Sequence, residues 1–387
     1  MEYKLGELVE QVTETNSELN FGLNDIVGVT IDKKIIPTIA NLKETDLKKF
    51  VIVSPNDFIY NPRTHGKKIG LGYNNTARKY IATWNNNTFR IKEEKRNTIL
   101  SDYLYLYFNR EIWDKEACFN SWGSSTVVFS WDSFCDMKIN LPDIEEQKKI
   151  VKEYWAITEQ VVSISKENIE IQKLGVLDLC NVIGFESLVN KTDNELSEFN
   201  LPKNCSISTV KDFCKKITSG GTPNRANPEY YNGSINWLKS GEVHNNIITH
   251  TEENISELGL NNSSAKIFPR NTVLMAMYGV TAGEIGLLDI ETSTNQAICG
   301  MICNNIEDAS FLYFTLRKNQ IDIKRLANGG AQDNLNQETI KATKIIIPNE
   351  IAKKKLHCST FMNRLIINSR ILYQLQKMLD LLLLKIR

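Results

Sequence analysis

Apolar positions fall into two kinds of run along this chain. Short continuous runs such as FVIVSP (50–55), NTVLMAM (271–277) and KIIIP (344–348) read as buried strands within stretches of mixed pattern. Two long stretches behave differently. After Leu141-Pro142-Asp143, where proline stops a strand and Asp143 can cap a helix, a 4-3 spacing picks out Ile150, Tyr154, Ile157, Val161, Ile164, Asn168, Ile171 and Gly175, and the pattern ends near Gly184. The second stretch, from about Glu350 to Arg387, carries Phe361, Leu365, Asn368, Leu372, Leu375, Leu379, Leu382 and Ile386. Such seams predict a supercoiled helix pair.

Laid antiparallel with Ile150 opposite Ile386, every seam residue meets a seam residue. Asn168 then faces Asn368, and each amide offers both donor and acceptor. Residues 143–186 hold nine acidic and five basic side chains, residues 350–387 two acidic and eight basic, so the flanks are complementary. Gly175 is expected to weaken the first helix by about 1 kcal/mol relative to Ala. Roughly 40 helical residues make a rod of about 60 Å. An antiparallel pair of that kind predicts two globular halves related by an approximate two-fold axis, a device for measuring distance.

The chain repeats itself. FSWDSFCDMKINLP (129–142) aligns with LNQETIKATKIIIP (335–348) at an offset of 206, which also places Gly123 over Gly329. The openings KLGELVEQV and TVKDFCKKI align at nearly the same offset, as do DYLYLYF and SFLYFTL, while the middle of each half aligns poorly. The expected organisation is α+β: a mixed domain over 1–142, a helix over 143–185, a polar linker over 186–204, a second mixed domain over 205–348 and a second helix over 349–387.

Composition narrows the class. Of 387 residues, 42% are hydrophobic and 24% charged, ordinary for a soluble globular protein. Formal charge is +0, from 46 basic against 46 acidic residues, which argues against a nonspecific nucleic-acid polycation. Eight cysteines without a CxxC pair read as reduced thiols of a cytoplasmic protein, and no apolar run resembles a secretory signal or a membrane span.

Catalytic patterns are missing: no HExxH, GxSxG or GxxxxGK[ST] is present, and the four histidines are scattered, so no metal site is expected. Asn61-Pro62-Arg63 lacks the second proline of an adenine methyltransferase motif and reads as a turn. ITSGGTPN reads as a loop without a phosphate-binding lysine. Residues 61–99 stand out, with nine basic residues against Glu93 and Glu94, interleaved with Tyr73, Tyr80, Trp84, Phe89 and several asparagines. This pattern fits a phosphate grip with base-reading amides, and equally a solvated basic surface over core aromatics. Lys211 to Lys239 is a milder version, with five basic residues against Asp212 and Glu229.

Two motifs carry a resemblance. Leu141, Pro142, Glu146, Gln147, Ile150 and Val151 match an LPxxxEQxxIV junction, and Gly220 or Gly221, Thr222, Pro223, Tyr231, Gly233, Ile235 and Trp237 match a G-x-T-P…Y-x-G-x-I-x-W block. With MAMYGVTAGEIGLL and STNQAICGM, they resemble the specificity subunits of type I restriction–modification systems. The second junction departs, with Ala352 and Lys353 in place of Glu-Gln, which implies a less typical grip on the partner subunit. The first half lacks the G-x-T-P block, which implies recognition domains of two subtypes.

The resemblance implies a non-catalytic subunit that binds a bipartite double-stranded DNA target, one half-site per domain. It also implies two modification subunits and restriction subunits as partners, which would bind S-adenosylmethionine, ATP and Mg. Candidate DNA contacts are Arg63, His65, Lys67, Lys68, Arg78, Lys79, Ser124 and Ser125 in the first half. In the second they are Thr222, Arg225, Lys239, Ser240, Tyr278, Thr281, Gln332 and Asn334. Competing readings are a fragment of a single-chain restriction–methyltransferase and a two-headed scaffold with no DNA role.

Overall fold

The computed structural model describes residues 1–38, 45–63, 68–121, 127–327 and 334–386. The chain folds as two units, Met1–Gln160 with Leu375–Arg387, and Val161–Gln374. Both long helices contribute to both units, because each helix begins in one and ends in the other.

The first long helix runs unbroken over Ile144–Ile183. Asp143 starts it by accepting Glu146 N–H at 2.9 Å. Gly184, at φ 80°, ends it in the left-handed conformation that glycine adopts without penalty. The second stretch is not one helix as its pattern predicts. It comprises a short turn of helix at Glu350–Lys353 and then Cys358–Lys385. The break has a partner: the Asp178 carboxylate accepts the His357 N–H at 2.8 Å and contacts its ring Nδ1 at 3.0 Å, which supplies an acceptor at the new helix start.

The seam is present in each unit by itself. In the first unit Ile150 and Ile386 share one buried cluster, with Tyr154 and Leu383 packed against it. In the second, Asn368 Nδ2 donates to Asn168 Oδ1 at 2.9 Å, and Arg364 pairs with Glu167 at 2.8 Å. Ile150 opposite Ile386 and Asn168 opposite Asn368 are the same antiparallel register. None of the expected seam residues is exposed. Gly175 has a different reason from the one its helix propensity gives. A Cβ there would overlap the Phe314 ring, so the missing side chain lets the helix Ile306–Lys318 pack onto the long helix.

The halves share a sheet plan that their sequences hide. The first unit holds a four-stranded antiparallel sheet in the order Val9–Gln11, Asn87–Ile91, Phe58–Tyr60, Leu71–Tyr73. The second repeats that order with Lys216–Ser219, Ile298–Ile302, Val273–Ala276 and Ile285–Leu288, then adds Asn246–Ile248 in parallel. In each, a strand leading into the unit pairs antiparallel with the strand just before a long-helix junction: Glu2–Lys4 with Lys138–Asn140, and Cys205–Thr209 with Lys344–Pro348. The remaining strands differ. The second unit builds a four-stranded sheet around Tyr231–Leu238, whereas the first has two separate pairs, Val27–Val29 with Ile35–Pro37 and Val51–Val53 with Tyr80–Ala82.

The stretch 186–204, read as a linker from its polarity, is folded against the second unit. Leu188 is buried, Leu196, Phe199 and Leu201 pack on the core, and Thr192 and Glu195 form a reciprocal cap on a short helix. Among the described residues no helix is long and apolar enough to cross a membrane.

Candidate nucleic-acid interface

The junction motifs act as internal stitches. Gln147 is fully buried; its Nε2 donates to Thr98 O (2.9 Å) and Pro142 O (3.0 Å), and its Oε1 accepts Leu100 N–H (3.0 Å). The helix start is thereby sewn to the domain it follows. At the corresponding place in the second half, Lys353 pairs with the largely buried Asp308 at 2.9 Å. The Gln-to-Lys departure is met by an acid, and the stitch is kept by an ion pair.

The G-x-T-P…W block is likewise structural. Tyr231 OH donates to Pro223 O at 2.6 Å, and Trp237 Nε1 donates to Gly221 O at 3.0 Å. A Cβ on Gly221 would overlap Ser264, and one on Gly233 would overlap the Ser256 backbone. These residues are small or aromatic because the loop closes on itself.

Two loops hold equivalent places. In the first unit Phe129 N–H donates to Pro62 O at 2.7 Å, and Arg63 bridges to Val128. In the second, Leu335 N–H donates to Met277 O at 2.8 Å, and Tyr278 bridges to Asn334. Both clasps precede capped helices: Ser130 accepts Ser133 N–H, and Asn336 accepts Thr339 N–H. Arg63 and Tyr278 therefore each follow the same strand of the shared sheet. Sequence comparison misses this because the loops differ in length and chemistry.

The second unit brings most of its expected residues together. Arg225 pairs with Glu253 at 2.7 Å, and Lys239 pairs with both Glu252 (2.7 Å) and Glu253 (3.2 Å). The Arg225 guanidinium holds the Glu253 carboxyl below its ordinary pKa. Ser240 follows Lys239, and its carbonyl accepts the Thr281 hydroxyl at 3.1 Å. Thr222 is exposed and bonds Gln296. Tyr278 is half-exposed, Val280 is wholly exposed, and Asn334 is exposed at the clasp.

Arg225 and Lys239, both candidate DNA contacts, do not present unpaired charge. Both cations are engaged by carboxylates, and Arg225 also lies over the Tyr231 and Trp237 rings at 4.3 and 5.0 Å. The hydrophobic pattern does not single out the exposed Val280 at the loop tip; only its place between Gly279 and Gly283, both at positive φ, marks it.

The first unit divides its basic stretch. Arg63, Lys68 and Lys79 are exposed. Arg78 pairs with Asp25 at 2.7 Å, Arg90 with the buried Asp57 at 3.0 Å, and Arg96 with Glu93 at 2.8 Å, while Lys92 donates to Gly6 O at 2.8 Å. Tyr73 and Phe89 are core residues. Asn74 is buried; it donates to Arg78 O and accepts from Thr76, so it holds a turn. Much of the cluster is thus a folded framework. His65, Lys67, Ser124, Ser125 and Gln332 lie outside the described residues. Among the described residues no group of three or more His, Cys, Asp or Glu could hold a metal ion.

Comparisons with known proteins match nearly the whole chain. A family model described as "Type I restriction modification DNA specificity domain" matches residues 1–173 and again 202–379. The chain is 21% identical to the type I restriction enzyme HindI specificity subunit of Haemophilus influenzae, over 90% of each protein. It is 24% identical to the MjaIX specificity subunit of Methanocaldococcus jannaschii, over 40% of this chain and 37% of that one. The crystal structure of a type I restriction–modification S subunit from M. genitalium shares the fold, with a TM-score of 0.55 at 12% identity, covering 99% of this chain and 94% of that one.

Proposed function

The chain belongs to the type I restriction modification DNA specificity family, and on that premise we propose that it is the non-catalytic DNA-recognition subunit of such a system. It reads a bipartite duplex target, with one half-site per recognition domain. The observation that carries this reading is the repeated frame: each unit presents a clasped loop at the same place on the same sheet order, with different side chains on it.

The exposed cations Arg63, Lys68 and Lys79 suit phosphate contacts, which orient a protein on DNA. Tyr278, Thr281 and Asn334 offer hydrogen-bonding groups at one loop cluster for base edges. Modification subunits, two in number, dock on the long helices. Exposed apolar side chains there support this, with Ile169, Leu174, Leu177, Ile367 and Ile371 on the second unit's portions and Met378, Leu381 and Leu384 on the first unit's. S-adenosylmethionine, ATP and Mg belong to the partner subunits, restriction subunits included, in the cytoplasm.

The test is methylation mapping in cells that express this chain with its modification subunit. The expected product is one methylated motif made of two defined parts separated by undefined bases. A contiguous motif, or methylation that does not depend on this chain, would contradict the reading.

A further inference from the structure

The loop from Met277 to Gly283 in the second unit is held from beneath by a half-buried polar network centred on the buried Gln320. Gln320, the first residue of the helix Gln320–Ala327, is buried, and its Nε2 donates to Gly283 O at 2.8 Å and to Asn245 Oδ1 at 2.7 Å. Asn245 Oδ1 also accepts Ile285 N–H at 3.1 Å. Its backbone carbonyl accepts Tyr313 OH at 3.1 Å and Gln172 Nε2, from the first long helix, at 3.0 Å. Arg317 closes the circuit, donating to Gln172 Oε1 at 3.1 Å and also to Gln320 Oε1. Lys324, one turn further on, pairs with Glu284, and a Cβ at Gly283 would lie 2.7 Å from its Cγ. The loop end is pressed onto this helix, with no room for a side chain.

Buried polar groups are costly when unpaired, so a network this connected has few alternative arrangements. The first unit meets the same need with different atoms. Asp114, on the corresponding helix Glu111–Phe119, accepts Ile69 N–H at 2.9 Å and pairs with Lys33 at 2.6 Å, and Lys33 donates to Ile69 O at 2.7 Å. Ile69 precedes the strand Leu71–Tyr73 much as Gly283 precedes Ile285–Leu288. Two unrelated chemistries at one place point to a shared requirement: the backbone that closes the loop must not drift.

We propose that Gln320 and Asn245 are positioning residues for DNA recognition. They fix the exit of the 277–283 loop and tie it, through Gln172, to the first long helix. Selectivity at the second half-site depends on them although they are not the reading groups. This rests on the reading of that loop as a DNA contact.

The experiment uses the full chain assembled with its modification subunits, carrying Gln320→Leu. Competition binding compares the target duplex with duplexes altered by one base pair in either half-site. The expected result is about a tenfold loss of discrimination at the second half-site, of the order a single base contact supplies. Discrimination at the first half-site is retained, and amide exchange over 277–284 is faster. Equal loss at both half-sites would mean a merely structural role, and no loss at either would mean no role; each overturns the proposal. Gln172→Ala breaks the network at its half-buried helix end and keeps the test open if Gln320→Leu does not fold; a smaller loss confined to the second half-site is expected. Tyr278→Ala separates the two readings. If it leaves binding and discrimination intact while exchange still accelerates in Gln320→Leu, the loop does not read DNA, and the proposal falls with that reading.

Discussion

The two units solve one problem with one frame and two surfaces. Each runs the same four strands in the same order, closes with the strand pair beside a helix junction, and clasps one loop by a backbone hydrogen bond. They part company away from that frame. The second unit builds a four-stranded sheet around Tyr231–Leu238, sealed by the Gly221–Trp237 closure. The first has two short strand pairs instead. The strands that share a buried cluster with the long helices are kept, and the remaining strands differ. The proposed reading of two different half-sites needs that division.

Breaking each unit separately sharpens the contrast. The largest effect is expected in the first unit from Lys33→Met, which leaves the buried Asp114 charge without its partner. A loss of about 3–5 kcal/mol is expected, seen as early urea unfolding of that unit and rapid amide exchange at 68–73, with the second unit protected. In the second unit Asn368→Leu strands Asn168 and should cost about 1–3 kcal/mol. The Asn168→Leu, Asn368→Leu double variant should recover much of that in thermal unfolding, because both polar partners are then gone. Gly175→Ala decides between two effects. Helix propensity favours Ala by about 1 kcal/mol, but its methyl would meet the buried Phe314 ring, and overpacking costs about 1–3 kcal/mol. A net loss of stability confined to the second unit is expected. The smallest effect is electrostatic. Lys68→Ala should lower the slope of log affinity against log salt by about one, whereas Lys239→Ala, already paired with Glu252 and Glu253, should change it less.

What was legible in the sequence followed physical periodicity. The 4-3 seam, its antiparallel register and the Asn168–Asn368 pair could be read because a long helix repeats its constraint every turn. The break at 354–357 could not, because the acceptor that meets the new helix start, Asp178, is distant in sequence. The shared sheet order was hidden, since short strands buried on both faces accept many apolar residues and leave no aligned positions. Among candidate contacts, composition identified cations but not their partners. Arg78, Arg225 and Lys239 each found a carboxylate that no spacing rule announces. The motifs that carried the family resemblance proved to be stitches and closures, with Gln147 and Trp237 facing inward.

The claim that the units read DNA independently is tested most directly by exchange. Residues 1–142 are replaced by the corresponding part of a family member with a different target, and the methylated motif is mapped in cells supplied with the modification subunit. One half of the motif should change to the donor's while the other half stays as it was. Change in both halves, or in neither, would contradict the account.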